Sequence, residues 1–260
     1  MPIIPPLLTQ IFLAILLAAI VSASAYRAHA LTRSGALAAW GIGSVVSGIG
    51  GWMAAAALLT FFVSSTVLSR WRRKQKETLG YEKGGRRDAG QVLANGGVAA
   101  ACILLSAAGV KSGMLLFLAA LAAANADTWA TEIGSIVGGQ PYDIRTGKKV
   151  SAGSSGAVSL PGTFAALAGS ALLGLFAHGL TAGLIVTASG FGGAFFDSLL
   201  GATVQAQWRH PSVPGQWTER PQAGPPERGW RRVGNDFVNG LCTLTGAGLA
   251  GLLLKIILLK

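Results

Sequence analysis

The sequence predicts an all-α fold: a polytopic integral membrane helical bundle of about eight transmembrane helices, forming a single domain over residues 1–260. Three observations lead to this prediction. Of the 260 residues, 51% are hydrophobic and only 12% are charged, which is far too apolar for one soluble domain. Several segments of about 20 residues carry almost no charge, and this length crosses a hydrocarbon core about 30 Å thick. Lys and Arg are concentrated in four connecting segments, as expected for cytoplasmic loops.

Eight apolar segments define the predicted spans. The first ends in an Ala-x-Ala pattern like that of a signal peptide, but no basic residue precedes it, so we interpret it as a retained span. The second and third meet at the glycines of "SGIGGW", which predict a turn but also fit a kink in one long helix, giving seven spans. The predicted spans are residues 3–25, 35–49, 51–69, 90–108, 113–136, 155–177, 179–202 and 236–258.

The distribution of basic residues favours eight spans over seven. With eight, residues 26–34 and the three longer loops 70–89, 137–154 and 203–235 share one side and hold 18 of the 21 Lys and Arg residues. The positive-inside rule makes that side cytoplasmic and places both termini outside. The net charge of +11 therefore follows from topology. Because no nucleic-acid-binding pattern occurs in the chain, we expect no nucleic acid partner.

Three aspartates are candidate metal ligands near the cytoplasmic surface. Asp127 and Asp197 follow apolar runs, and a charge inside a span costs at least about 2.5–3.5 kcal/mol, which makes each a functional candidate. Asp236 begins the last span, where a helix cap and a ligand explain it equally well. Oxygen ligands without a His or Cys cluster suit Mg²⁺, which takes one or two carboxylates plus phosphate oxygens. We therefore expect Mg²⁺ at Asp127, Asp197 and Asp236.

Helical geometry separates Glu132 from Asp127, although both lie in "NADTWATEIGS". Five residues correspond to about 140° around a regular helix, so the two carboxylates face one ion only if the helix unwinds, for example near Gly134. Asp127 shares its face with Thr131, and Thr128 shares its face with Glu132. We expect one carboxylate to bind metal and the other to orient a neighbouring group.

Residues 148–162, "KKVSAGSSGAVSLPG", have the composition of a phosphate-binding loop. Small residues let the backbone amides of residues 153–156 approach phosphate oxygens, and a helix N-terminus follows. The ordinary alternative is a turn and a helix cap, since Gly and Ser favour turns.

Two further polar segments lie on the same predicted side. In "GGRRDAGQVLANG", residues 84–96, two arginines precede a helix on which Asp88, Gln91 and Asn95 share one face, and buried amides need partners. Residues 205–234 contain five prolines and three tryptophans, which exclude a regular helix. This last segment is either a connector or a cover over the cytoplasmic mouth.

The motifs "GGRRDAGQVLANG", "ADTWATEIGS", "VSAGSSGAVSLPG", "GGAFFDSLLGATVQ" and "NDFVNG" resemble the membrane family known as domain of unknown function 92, which includes phytyl-phosphate kinase. They run in the family's order from residue 84 to 240. The resemblance implies phosphoryl transfer from a nucleoside triphosphate, with CTP expected, to an isoprenoid (phytyl or prenyl) monophosphate to give the diphosphate. The chain departs from the family at Asn235-Asp236, where Asn-Asn is expected.

Combined with this resemblance, the residue pattern indicates a kinase site facing the cytoplasm. Asp127, Asp197 and Glu132 form the expected catalytic set. The acceptor is already an ionised phosphate, so no strong general base is required. The expected nucleotide- and phosphate-binding residues are Arg86, Arg87, Gln91, Asn95, Asn125, Thr128, Lys149, Ser154, Ser155, Gly156, Asn235 and Asn239.

Two other functions fit the same residues. Carboxylates within spans and glycine-interrupted helices also build ion-coupled transporters, in which the acids are expected near the midplane and on both faces. A CTP-dependent cytidylyltransferase acting on a lipid phosphate would instead release pyrophosphate and leave CMP on the lipid.

Overall fold

A computed structural model of the chain describes residues 6–71, 86–137, 139–151, 154–209, 211, 217–219 and 221–259. Within these ranges the chain forms seven helices and two small antiparallel sheets, which confirms the predicted all-helical class. Six of the helices have the length and apolar composition needed to cross a membrane. The elements are α1 (Pro6–Arg27), α2 (Arg33–Arg70), α3 (Ala89–Ala107), α4 (Gly113–Val137), β1 (Tyr142–Asp143), β2 (Ala157–Val158), α5 (Leu160–Gly174), α6 (Leu180–Thr203), β3 (Trp208–Arg209), β4 (Trp217–Thr218) and α7 (Asn235–Leu258).

The long helix α2 folds back on itself at Gly51. This glycine has φ 75° and ψ −170°, a backbone conformation that favours glycine. A straight helix of 38 residues would be about 57 Å long. Instead, the Arg70 guanidinium at its end donates to the carbonyl of Ala28, next to its start. The glycine cluster therefore produces the turn that was predicted, while the number of membrane crossings and the outer position of both termini remain predictions.

Helix α4 is the central helix of the bundle. Every residue from Phe117 to Ala126 is buried, and α4 packs against α2, α3, α5, α6 and α7, as expected for a helix that is apolar on all faces. Small residues allow this close packing. A Cβ atom at Gly193 of α6 would lie 2.7 Å from the Ala123 Cβ and 2.8 Å from the Cys242 carbonyl oxygen. The helices α4, α6 and α7 thus meet almost backbone to backbone.

The polar connecting segments gather at one end of the bundle. The amide of Arg87 donates to the Ala30 carbonyl at 2.9 Å, which joins residues 26–34 to the segment before α3. Residues 137–154 adjoin the loop after α6, since Ser155 hydrogen-bonds to the Glu219 carboxylate. Among the described residues, these contacts join the first of the four segments to the second and the third to the fourth. Residues 72–85 of the second segment lie outside the described ranges, and the assignment of this end to the cytoplasm remains a prediction.

Helix α5 begins at Leu160 and not at residue 155 as predicted. Ala157 and Val158 pair with Tyr142 and Asp143 as β2 and β1, so these residues are extended. Ser159 then caps the helix, its hydroxyl accepting a hydrogen bond from the Gly162 amide at 3.3 Å. The Gly/Ser segment is therefore a sheet strand and a cap at its end, as its ordinary interpretation required.

Candidate functional site

A polar cavity of about 140 Å³ lies at the loop end of α4, α5 and α6. Its volume is well above the roughly 10–15 Å³ that one water molecule requires. Both Asp127 of α4 and Asp197 of α6 line it, so the two carboxylates proposed to bind metal face the same space. The polar side chains and glycines in its wall are Asp127, Thr131, Gly134, Ser135, Ser154, Ser155, Gly156, Ser159, Gly162, Thr163, Asp197, Ser198, Gly201, Gln205, Glu219 and Asn235.

One face of α4 supplies the floor of this cavity. Asp127, Ala130, Thr131 and Gly134 all line it, at the spacing that brings residues of a regular helix to one side. The helix continues without a break to Val137. Glu132 is half-buried and does not line the cavity. The predicted divergence of Asp127 and Glu132 is therefore what the structure shows, and the geometry gives Glu132 no direct catalytic role.

The Gly/Ser segment forms the wall opposite α4. Ser154, Ser155 and Gly156 line the cavity, whereas Gly153 lies outside the described residues. Gly156 has φ 77°, and a Cβ atom there would overlap Ala202 at the end of α6. Glycine is therefore required at this position for two reasons, its backbone conformation and the close approach to α6.

Lys149 does not take part in this wall. It is exposed at the end of the turn that follows β1 and does not line the cavity. The carboxylate of Asp143 organises that turn by accepting from the Arg145 amide at 3.0 Å and the Thr146 amide at 2.8 Å. Desolvation raises the pKa of Asp143, but the hydrogen bonds from Thr146 and Arg145 outweigh it and the net shift is downward.

Gln205 and Glu219 are among the cavity residues that sequence reasoning missed. Gln205 is 3% exposed, and its Nε2 atom has no hydrogen-bond partner within the described part of the chain. A buried donor without an acceptor costs about 1–3 kcal/mol, so this amide is suited to a ligand oxygen. Gln205 ends the quoted motif "GGAFFDSLLGATVQ", but nothing in the sequence indicates that its side chain turns towards Asp197.

Glu219 reaches the cavity because the Pro- and Trp-rich segment folds over it. The sheet of β3 and β4 holds this segment, and the Trp217 ring lies between two guanidinium groups, 4.3 Å from Arg209 and 4.1 Å from Arg228. Such contacts contribute about 0.5–1 kcal/mol each at exposed sites. Arg209 also pairs with Glu227 at 3.0 Å. Within the described part of residues 205–234, Gln205 and Glu219 line the cavity, which favours the interpretation as a cover over that of a connector.

Asn125 and Thr128 belong to the packing of the bundle and not to the cavity. Asn125 is fully buried, donating to the Gly169 carbonyl at 2.7 Å and accepting from the hydroxyls of Ser64 at 3.0 Å and Ser65 at 3.3 Å. The Thr128 hydroxyl donates to the Ala124 carbonyl at 2.9 Å. Neither residue lines the cavity, so the geometry does not support the nucleotide-binding role expected for them.

The first turn of α7 contributes Asn235 to the cavity, but not Asp236 or Asn239. Asp236 is exposed and packs against Gly90 of α3. The cap residue is Gly234 and makes no side-chain cap hydrogen bond, so Asp236 lies in the first turn rather than at the cap. In the described ranges, no group of three or more His, Cys, Asp or Glu side chains is placed to hold a metal. Of the three expected metal ligands, Asp127 and Asp197 therefore line this cavity and Asp236 does not.

The remaining predicted residues lie at a second cavity. This apolar cavity, of about 300 Å³, lies between α1, both halves of α2 and α3, and Arg87, Gln91 and Asn95 form its polar end. Arg86 is exposed beside it. The structure therefore divides the expected phosphate-binding residues between two sites.

The sequence profile of the family described as "Integral membrane protein DUF92" matches residues 16–247. The chain belongs to this family. The match covers all seven helices at least in part, so the bundle and both cavities lie within the shared region. The resemblance read from the sequence motifs is thereby confirmed, and the protein is an integral membrane protein.

Relatives of this chain occur in archaea, cyanobacteria and plants. An uncharacterized membrane protein of Methanocaldococcus jannaschii is 28% identical over 199 residues, covering 75% of this chain and 83% of that protein. An uncharacterized membrane protein of Synechocystis is 28% identical over 229 residues, covering 82% and 78%. Protein PGR of Arabidopsis thaliana is 29% identical over 229 residues, covering 75% and 79%. No solved structure matches the chain.

Proposed function

We propose that this protein is a membrane kinase that transfers a phosphoryl group from a nucleoside triphosphate, with CTP as the expected donor, to an isoprenoid monophosphate. The observation that carries the proposal is the polar cavity, which Asp127, Asp197 and residues 154–156 all line. Phosphoryl transfer requires little covalent chemistry from a protein, and its catalysis consists of positioning and charge neutralisation.

The residues of the cavity fit a magnesium ion. Mg²⁺ is bound by one or two carboxylates together with phosphate oxygens and water, and Asp127 and Asp197 supply two carboxylates beside hydroxyl groups. The ion, when bound, neutralises phosphate charge, and the two aspartates hold it at the cavity.

Neutral donors surround the space left for phosphate oxygens. The Gln205 amide has an unused N–H group, and Ser155 and Ser198 offer hydroxyls. The acceptor oxygen belongs to a phosphate that is ionised at neutral pH, so no side chain has to remove a proton. Two of the three histidines of the chain, His29 and His178, do not line the cavity, and His210 lies outside the described residues.

The two competing functions make different demands. A transporter needs polar groups along a path through the bilayer, whereas Asp127, Asp197, Glu219 and Asn235 all lie at the loop end of the bundle. A cytidylyltransferase would use the same cavity, so its products distinguish it. In that case pyrophosphate is released and CMP remains on the lipid.

The test is a reconstitution assay with purified protein in detergent or nanodiscs. Protein, Mg²⁺ and CTP or ATP are incubated with geranylgeranyl or phytyl monophosphate, and the products are separated by mass spectrometry. We expect nucleoside diphosphate and prenyl diphosphate in equal amounts. Asp127→Asn and Asp197→Asn should each lower turnover by at least about 100-fold, the scale of losing one electrostatic element of a preorganised site.

Asp143→Asn is the matched control, because this carboxylate serves only the turn after β1. It should retain the turnover of the wild type. The proposal is overturned by pyrophosphate as product, by substrate flux in liposomes without turnover, or by full activity of both aspartate variants.

A further inference from the structure

The apolar cavity has the dimensions of a site for one hydrocarbon chain. Its volume of about 300 Å³ lies at the lower end of the range of about 300–1,000 Å³ for small-molecule pockets. Along the second half of α2 it extends from Phe62 to Trp52, which is about 15 Å at 1.5 Å per residue. That length is about half of a hydrocarbon core of 30 Å, so the cavity covers the depth of one leaflet.

The wall of this cavity is mostly apolar, with two serines, Ser22 and Ser47, and its cation and two side-chain amides lie at the loop end. Leu17, Val21, Ile42, Leu59 and Phe62 contribute to the apolar part. The polar end is formed by Arg87 just before α3 and by Gln91 and Asn95 in its first two turns. An apolar cavity with a single cationic end is complementary to an amphiphile with one chain and one anionic head.

Arg87 is held in this place by its backbone. Its amide donates to the Ala30 carbonyl at 2.9 Å, and its own carbonyl accepts from the Thr32 amide at 3.0 Å. The guanidinium forms no hydrogen bond or ion pair with any described residue. Because the backbone fixes the position, the side chain is free to be exchanged without removing the bonds that join α3 to the α1–α2 turn.

The surroundings of this guanidinium favour an anion. Burial lowers the pKa of Arg87 to about 10, since desolvation disfavours the charged form. The group is still protonated at neutral pH. A half-buried cation without a counter-charge among the described residues is costly, and a phosphate group would offset that cost with charge-assisted hydrogen bonds.

The polar end of the apolar cavity adjoins the polar cavity. Asn235 lines the polar cavity, and the next residue, Asp236, packs against Gly90 of α3, three residues after Arg87. Only the first turn of α7 therefore separates the head position from the site at which the nucleotide is proposed to bind.

We propose that the apolar cavity binds the chain of an isoprenoid monophosphate, with the phosphate at Arg87. The identity of the lipid rests on the proposed function, whereas the binding of a single-chain anion at this place rests on the cavity and on Arg87. Gln91 and Asn95 then act at the head of the lipid and not at the nucleotide.

The experiment measures equilibrium binding of radiolabelled geranylgeranyl monophosphate to the purified full-length protein in nanodiscs, without nucleotide or Mg²⁺. Arg87→Gln should weaken binding at least about tenfold, the scale of losing one charge-assisted hydrogen bond, and Arg87→Lys should recover part of it. Ala55→Phe, which fills the cavity from α2, should weaken binding to a similar extent.

The matched controls are Arg27→Gln, an exposed arginine at the same end, and Ala168→Phe, an exposed alanine of α5. Both should bind as the wild type does.

Competition identifies the ligand chemistry. Unlabelled geranylgeranyl monophosphate should displace the label, whereas geranylgeraniol and inorganic phosphate should each compete at least about tenfold less well, because each offers only half of the interactions. Equal binding by all six proteins would mean that the lipid merely surrounds the bundle, and it would overturn the inference. Equal competition by inorganic phosphate would overturn it as well.

The two proposals fail in different ways. Asp127→Asn should bind the lipid with the affinity of the wild type although it has lost turnover. If lipid binding depends on Arg87 but the protein has no kinase activity, the proposed function is overturned and the proposed lipid site stands. If the protein turns over substrate but Arg87→Gln and Ala55→Phe bind lipid as the wild type does, the proposed lipid site is overturned and the proposed function stands.

Discussion

The two halves of the bundle enclose cavities of opposite character. Around α4 to α7, small residues bring the helices together, and a polar cavity lies at the loop end. Around α1 to α3, larger apolar side chains line a larger cavity whose charged residue lies at the loop end. The carboxylates Asp127 and Asp197 face the first and the cation Arg87 faces the second. Polar residues inside the spans of one small membrane protein thus need not belong to one site.

The variant with the largest expected effect tests how closely α6 packs against α7. Gly193→Val in α6 places a side chain against the backbone of α7, and overpacking of this kind costs about 1–3 kcal/mol or more. We expect a collapse of the monodisperse fraction in gel filtration. Gly97→Val in α3 is the control, since a Cβ there meets nothing within 4 Å, and it should remain monodisperse. Similar behaviour of the two variants would show that the halves are packed alike.

Asn125→Leu should have the next largest effect. It removes the three hydrogen bonds that connect α4 to α2 and α5, each worth about 0.5–1.5 kcal/mol. The unfolding midpoint should fall, while the KM for nucleotide in the folded fraction should stay unchanged. Ser64→Ala, which removes one of the three bonds, should show a smaller fall. A raised KM for nucleotide with an unchanged unfolding midpoint would instead support the nucleotide-binding role expected for Asn125.

Gln205→Met should separate activity from stability. It removes a buried donor that has no described partner, so kcat/KM should fall about tenfold while the unfolding midpoint stays constant or rises. Gln207→Met is the matched control, because the Gln207 amide already donates to the Gly201 carbonyl at 2.8 Å. The unfolding midpoint of this variant should fall. A lowered midpoint in both variants would indicate that Gln205 is structural.

Asp236→Asn should have the smallest effect. An acidic residue in the first turn of a helix contributes about 0.3–1 kcal/mol through the helix dipole, and this carboxylate lies outside the polar cavity. Turnover should therefore stay close to that of the wild type, and the unfolding midpoint should fall only slightly. Loss of turnover equal to that of Asp197→Asn would instead identify Asp236 as a third metal ligand.

Much of the fold follows from local signals in the sequence. Long apolar runs predict the helices, and the glycines at 50 and 51 predict the reversal in α2. The concentration of Lys and Arg predicts which connecting segments share one end of the bundle. The main error in helix boundaries, at α5, arose because two residues of the Gly/Ser segment pair with β1. Such pairing is between residues far apart in the chain and leaves no periodic signal.

The site was predictable only within single helices. Spacing along α4 placed Asp127 and Thr131 on one face and Glu132 on another, as observed. The same reasoning applied to Asn125, about 200° from Asp127, would have removed it from the site. Spacing could not reveal that the face carrying Gln91 and Asn95 turns towards α1 and α2, because that depends on how helices pack. Glu219 was beyond prediction for the same reason.

The reversal at Gly51 has a consequence for biogenesis. Because a single glycine joins the two halves of α2, no hydrophilic stretch separates them, and nothing strongly hydrated has to be carried through the lipid when they insert. In the eight-span prediction, the two halves therefore enter the bilayer together, as a helical hairpin whose two ends stay on the predicted cytoplasmic side. The wall of the apolar cavity that these halves provide is then in place before α3 is synthesised to close it.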